Sequence, residues 1–221
     1  MCSSDLGHAN MIRILICDDH LIVRQGLRQI LSDAPDMEIA GEAADGAEAM
    51  RLARGGGFDV LLLDIALPGR DGLDVLKQCR AELPRLPVLV LSTYPEGQYA
   101  VRCLRMGASG YLNKGANVDL MMEAIRKAAS GGVFVTVAQA EALASSLRGP
   151  SERAPHELLS TREYQVFQLM AEGLSVARIA ERLSLSPNTV STYRARIFEK
   201  TGASNEVEVA LYAVRRNLLN V

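Results

Sequence analysis

Five residues stand where apolar runs of the chain give way to polar sequence. Val60-Leu-Leu-Leu-Asp64 ends in a carboxylate with a turn proline, Pro68, shortly after it. Ile12–Cys17 runs into Asp18 and Asp19, Val88–Leu91 ends in Ser92, and Ser109–Leu112 is followed by Lys114. In an open parallel α/β sheet, ligands bind at the carboxyl ends of the strands. Three acids, one hydroxyl and one lysine would then converge on one rim. That set suits a divalent cation together with a phosphoryl group on an aspartate. Mg²⁺ prefers a few carboxylates plus phosphate and water, and it screens a phosphoryl group from crowded carboxylates. A lysine supplies a point charge to a phosphoryl oxygen, and a serine hydroxyl can donate to another.

The elements needed to hold these residues are legible from the apolar pattern. Short strands are expected near 12–17, 37–42, 58–63, 87–92 and 109–112, and amphipathic helices near 20–33, 46–54, 72–82, 97–106 and 117–130. Such βα repeats predict a doubly wound five-stranded parallel sheet covered on both faces. Right-handed crossovers favour the flavodoxin-like strand order 2-1-3-4-5.

Beyond this region the composition shifts. Residues 138–147 read as a short helix, and Arg148-Gly-Pro-Ser-Glu-Arg-Ala-Pro155 as a breaker-rich stretch within a linker over 132–157. An all-α domain of four short helices is expected over 158–221. Ser160-Thr-Arg-Glu163 is a capping box, and Gly173 closes the first helix. Ser175 caps the second, and Ser186-Pro187 starts the third sharply. Gly202 ends the third, and Ser204 is expected to open the last. Helix, tight turn, helix is the layout of a helix-turn-helix reader.

Composition sets bounds on function. Hydrophobic content of 48% supports a sizeable core, and no apolar run approaches the roughly 20 residues of a membrane span. Cys2, Cys17, Cys79 and Cys103 lack metal-ligand or CxxC spacing and read as reduced thiols of a cytosolic protein. The net charge of -2 divides into -3 over residues 1–150 and +1 over 151–221. Because phosphate neutralisation supplies much of the affinity for nucleic acid, a single weakly basic copy should bind poorly, and dimerisation is expected. The first ten residues, 1–10, have no signal-peptide pattern and read as a disordered or non-native leader, with translation beginning at Met11.

Taken together, Asp18, Asp19, Asp64, Ser92, Tyr111 and Lys114, with Pro68-Gly-x-Asp-Gly72 after the central acid, resemble the CheY-like receiver domain of two-component response regulators over 11–131. The resemblance implies that Asp64 is the phosphoacceptor of a sensor histidine kinase. It implies that Asp18 and Asp19 hold Mg²⁺ with Asp64 and the backbone carbonyl of Ala66. Lys114 and Ser92 would contact phosphoryl oxygens. Once Asp64 is modified, Ser92 would move toward it and Tyr111 would turn inward, changing the surface of the fourth and fifth helices. Gly115 stands where many receivers carry proline, so no cis Lys-Pro bond forms there. Leu67 stands where methionine is common, a volume-conserving swap.

Helical spacing over 187–201 places Val190, Ile197 and Thr201 on one stripe, expected to pack on Ile179, Leu183 and Val166. Asn188, Ser191, Thr192 and Ala195 fall on the other face, small and polar as a surface entering a major groove must be. Leu159-Ser-Thr-Arg-Glu163, Ala171-Glu-Gly173, Ile179-Ala-Glu-Arg-Leu183 and Ser186-Pro-Asn-Thr-Val190 resemble the LuxR-type helix-turn-helix over 158–215. With a receiver ahead of it, the chain is similar to NarL/FixJ-family response regulators. Val190-Ser-Thr-Tyr193 and Asn205-Glu-Val-Glu-Val resemble the BvgA/GacA-like subgroup. The resemblance implies a cytoplasmic bacterial transcription regulator that binds double-stranded promoter DNA and forms a homodimer on phosphorylation. Base-reading positions map to Ser191, Thr192 and Ala195. Ala195 replaces a frequently basic residue, which excludes a guanine contact from it. Arg194, Arg196 and Lys200 are expected phosphate contacts.

Two rival functions weigh less. An aspartyl-phosphate phosphohydrolase of the haloacid-dehalogenase type carries a second acid two residues after its nucleophile, and that position here is Ala66. A receiver-controlled protein-interaction module would not need the small polar face of 188–195.

Overall fold

A computed structural model describes residues 11–67, 72–94, 96–145, 154–216 and 218–219. The 1–10 leader with Cys2, the turn segment 68–71, and residues 146–153 of the expected helix end and linker lie outside the described residues. The chain divides into two compact units, with the partition after Ala140.

The first unit is built on β1 (Ile12–Cys17), β2 (Met37–Ala43), β3 (Val60–Asp64), β4 (Val88–Ser92) and β5 (Gly110–Asn113). All pairings are parallel, and the order β2-β1-β3-β4-β5 is the expected one. Every residue of β3 and β4 is buried. Helices on both faces leave a central parallel strand no wet side, so it reads as one apolar run rather than an alternation. Ile14, Ile16, Val60, Leu62, Leu89 and Leu91 form one core with helical residues such as Leu27, Leu31 and Ile125. The alternate positions Leu15, Leu61, Leu63 and Val90 are also fully buried, on the opposite face.

The intervening helices are α1 (Leu21–Ser32), α2 (Gly46–Gly55), α3 (Gly72–Glu82), α4 (Glu96–Arg105) and α5 (Val118–Ala129). Asp45 caps α2 by accepting from Ala47 N and Glu48 N, and Asn117 caps α5 through Asp119 N. His20, expected inside the first helix, is instead its N-cap, and its side chain makes no capping bond.

The segment expected to be linker starts as part of this unit. Phe134 N donates to Ser109 O at 2.7 Å, and Phe134 forms a parallel bridge with Gly110. β5 is an edge strand whose unpaired backbone groups need partners, and Phe134 supplies one. Next, α6 (Val137–Ser145) opens with Thr136 and Gln139 exchanging reciprocal hydrogen bonds, each side chain accepting from the other's backbone N–H. Gln139 is 1% exposed, and its Nε2 donates to Tyr111 O at 2.9 Å and to Glu96 Oε2 at 3.1 Å.

The second unit carries a 3-10 turn at Pro155–Leu158, then α7 (Thr161–Ala171), α8 (Val176–Arg182), α9 (Pro187–Thr201) and α10 (Glu206–Arg215). Ser160 and Glu163 form the capping box of α7. Ser175 and Ser186 cap α8 and α9, and Gly202 ends α9 in the left-handed conformation at φ +73°. Asn205 rather than Ser204 caps α10, its side chain accepting from Glu208 N. Val190 and Ile197 are fully buried, as are Val166 and Phe167 of α7. Thr201 is only half-buried, and its hydroxyl donates within α9 to Ile197 O at 2.6 Å.

Candidate functional site

The ends of β1, β3 and β5 bring Asp18, Asp64 and Lys114 together. Asp18 is 2% exposed and Asp64 1%. Lys114 Nζ lies 2.6 Å from Asp18 Oδ2 and 2.6 Å from Asp64 Oδ2. Backbone bonds set each of these side chains. Lys114 N donates to Ser92 O at 2.8 Å, which extends the β4–β5 ladder by one residue. Asp64 Oδ1 accepts from Ala66 N at 2.9 Å, and Asp18 Oδ1 from His20 N at 2.9 Å.

One ammonium faces several carboxylates, and the titration behaviour follows. Burial pushes the Asp64 carboxyl above its usual range, and Asp18 adds to this, against the pull of Lys114. Burial alone would lower the Lys114 ammonium, but Asp64 and Asp18 outweigh it and hold the lysine charged. The causes differ: loss of water dominates at Asp64, whereas the two carboxylates together dominate at Lys114. Burial, reinforced by Asp64 and Asp18, also pushes the neighbouring Cys17 thiol up to about 12, so it stays protonated and inert.

The donor set fits Mg²⁺. Ligand atoms of Asp18, Asp19, His20 and Asp64 all lie within 4.8 Å of one another. Asp19 Oδ1 is buried without an aligned hydrogen bond, its neighbour being His20 Nδ1 at 2.8 Å. Carboxylate oxygens in charge excess are what a hard dication requires. Sequence reasoning missed His20 as a member of this cluster. Its only signal was adjacency to the acid pair.

Ser92 is fully buried, and its Oγ accepts from Tyr94 N at 3.1 Å. Burial keeps the Tyr111 phenol protonated. Tyr111 OH donates to Tyr94 O at 2.8 Å. The sequence reading expected this ring to turn inward only after modification of Asp64. In the structure it is already fully buried, with the Tyr94 carbonyl accepting from its hydroxyl. Gln139, also missed, holds the backbone of the same tyrosine from the linker side.

In the second unit, Asn188, Ser191, Thr192 and Ala195 are all exposed on one face of α9. Ser191 Oγ donates to Pro187 O at 2.9 Å, and Thr192 Oγ1 to Asn188 O at 3.0 Å. With their protons directed into the helix, both hydroxyls present lone pairs outward, an acceptor surface for base amino groups. The flanking cations divide. Arg196 is exposed and makes no ion pair among the described residues. Arg194 Nε lies 2.9 Å from Glu206 Oε1, and its guanidinium covers the Phe198 ring. Lys200 Nζ lies 2.6 Å from Glu163 Oε2, the acid of the α7 capping box. Burial would raise the Glu163 carboxyl, but Lys200 and Ser160 together hold it below its usual range. Arg194 and Lys200, expected to face phosphate, already have acidic partners that lock α9 to α10 and α7. Spacing reveals a helix face but not an intramolecular partner.

A 2-1-3-4-5 sheet with acids and a lysine at its strand ends, joined to a four-helix unit whose third helix exposes a small polar face, is the architecture of a response regulator. Residues 14–126 match the response regulator receiver domain, and residues 157–213 match the bacterial regulatory proteins of the luxR family. The chain belongs to the two-component response regulators that couple a receiver to a LuxR-type DNA-binding domain and regulate transcription. It is 36% identical over 211 residues to response regulator GacA of Pseudomonas aeruginosa, covering 95% of this chain and 99% of the relative. To response regulator UvrY of Escherichia coli K12 it is 35% identical, covering 95% and 97%. RcsB from Salmonella enterica serovar Typhimurium, solved bound to promoter rprA in the presence of phosphomimetic BeF3-, aligns with a TM-score of 0.61 at 26% identity, covering 92% of this chain and 98% of that one.

Proposed function

We propose that a sensor histidine kinase phosphorylates this regulator on Asp64, and that the modified protein binds promoter DNA as a homodimer. The observation that carries the reading is the Lys114 ammonium placed 2.6 Å from both Asp18 and Asp64 at the carboxyl edge of the sheet. An Asp64 oxygen attacks phosphorus, the P–N bond to the kinase histidine breaks, and the imidazole leaves. The Lys114 ammonium, still charged, exchanges its Asp64 carboxylate partner for a phosphoryl oxygen, and the Ser92 hydroxyl turns to donate to another. Asp18, Asp19, Asp64 and the Ala66 carbonyl would hold Mg²⁺, which when bound supplies charge neutralisation between the acids and the phosphoryl group. Ala66 stands two residues after Asp64, where a phosphohydrolase of the haloacid-dehalogenase type carries an acid, which favours a regulatory modification over turnover of external phosphate esters.

The receiver over 11–131, the linker over 132–157 and the DNA-binding domain over 158–221 remain our working division, with 134–139 docked on the receiver sheet. No helix among the described residues is long and apolar enough to cross a membrane, in keeping with a cytoplasmic protein. The capture of the relative RcsB on promoter DNA with a phosphomimetic supports the coupling of receiver state to DNA.

The test is genomic DNA capture by the full chain with and without acetyl phosphate. Enrichment of discrete sites only after treatment is the expected result, and identical enrichment in both conditions would remove the phosphoryl dependence. At one such site, Thr192→Ala is expected to weaken specific binding by about 1–3 kcal/mol. Arg196→Ala is expected to weaken all sequences alike and to reduce the salt slope by about one unit. If both variants behave alike in a salt titration, the groove assignment of α9 is wrong.

A further inference from the structure

The acid pair of the pocket is held from behind by a cation. Arg24, in the first turn of α1, has a side chain only 14% exposed and spreads its guanidinium over two acceptors. Nη1 donates to the carbonyl oxygen of Asp18 at 2.6 Å, and Nε donates to Glu42 Oε2 on β2 at 3.3 Å. Glu42 is held in turn by Arg28, one turn along α1. Asp18 N donates to Ala43 O at 3.2 Å. The carbonyl that Arg24 holds belongs to the peptide joining Asp18 to Asp19. Fixing that peptide at its oxygen, with Asp18 pinned at its nitrogen, sets how the two carboxylates diverge.

We infer that Arg24 is a positioning residue of the metal pocket: through Asp18 O it holds the Asp18 and Asp19 carboxylates at the spacing a dication needs, with Glu42 keeping the guanidinium in place. The inference rests on the reading of Asp18, Asp19 and Asp64 as the metal-binding acids.

Charge and position make opposite demands. An arginine beside the pocket repels a dication, so by charge alone its removal tightens metal binding. Loss of the hold on Asp18 O loosens it. Residues that orient metal ligands are typically worth about 10–100-fold in metal affinity. A hold on a backbone carbonyl, rather than on the ligand oxygen, belongs at the low end, about tenfold.

The experiment is a calorimetric Mg²⁺ titration of the full chain, with thermal melting alongside, for the wild type, Arg24→Ala, Arg24→Lys and Asp19→Ala. Arg24→Ala is expected to bind Mg²⁺ about tenfold more weakly. Arg24→Lys keeps the charge but cannot reach both acceptors with one planar fork, so it also binds more weakly. Excess Mg²⁺ then restores its rate of labelling by acetyl phosphate. Unchanged affinity in Arg24→Lys, together with unchanged or tighter binding in Arg24→Ala, overturns the inference. If Arg24→Ala does not melt cooperatively, Arg24→Lys decides alone. Asp19→Ala tests the underlying reading separately. Wild-type affinity there removes the metal assignment itself, whereas lost binding there with unaffected Arg24 variants overturns only the role of Arg24.

Discussion

Treated with acetyl phosphate and Mg²⁺, the protein takes up one base-labile phosphoryl group, and Asp64→Asn takes up none. The substitution is nearly isosteric, and the amide oxygen can still accept from Ala66 N as the carboxylate does. What is lost is the nucleophile. The fold should not suffer, because one carboxylate leaves a pocket where burial and Asp18 already disfavour its charge, while Lys114 keeps Asp18 as partner at 2.6 Å. The variant should therefore melt at or above the wild-type temperature. Intact-mass measurement reads the label directly. Full labelling of Asp64→Asn would show that another carboxylate is the acceptor.

Gly72→Ala should damage both stability and labelling. A Cβ at this position would overlap Asp64 O and Ile65 Cα, which are backbone atoms of the strand end that carries Asp64. Gly72 N also donates to Ile65 O at 3.2 Å, so α3 cannot lift away without breaking that bond or dragging the end of β3. Overpacking of this kind typically costs about 1–3 kcal/mol, and backbone that cannot yield puts this case at the upper end or beyond. For a domain of this size the melting temperature should fall by about 5 °C or more. An ångström of displacement at Asp64 can lower the labelling rate about 100-fold. Gly26, inside α1 with open space around its Cβ position, is the control. Alanine there should stabilise by about 0.5–1 kcal/mol. Equal melting of Gly72→Ala and wild type would mean that the α3 start adapts freely.

The strand-end residues were legible in the sequence for a physical reason. A parallel strand buried on both faces has to be an unbroken apolar run, so the first charged residue marks where it meets the rim. Asp18, Asp64 and Lys114 all obey this. Arg24, His20 and Gln139 do not. Their partners are a backbone carbonyl, a neighbouring carboxylate and an edge strand, and none of these leaves a periodic trace. Gln139 sits in a small-residue segment whose composition reads as linker, while its own side chain is buried. Arg194 and Lys200 illustrate the converse. Spacing put them beside the exposed polar face of α9, but Glu206 and Glu163 come from other helices and only folding brings them near. The last cap was ambiguous because Ser204 and Asn205 are both good caps, and the choice rests on which side chain meets Glu208 N.

The docking of Phe134 and Gln139 on β5 also has a consequence for biosynthesis. Strand β5 ends at Asn113, yet Gln139, which seals Tyr111 O, is made about 26 residues later. At about 5–20 residues per second, the nascent receiver spends roughly one to five seconds with that edge open. An open strand edge pairs readily with another chain, so pairing between neighbouring nascent chains is favoured during that interval. A fragment cut at Gly131 would carry the same open edge permanently, whereas one extended to Ser145 would retain its seal.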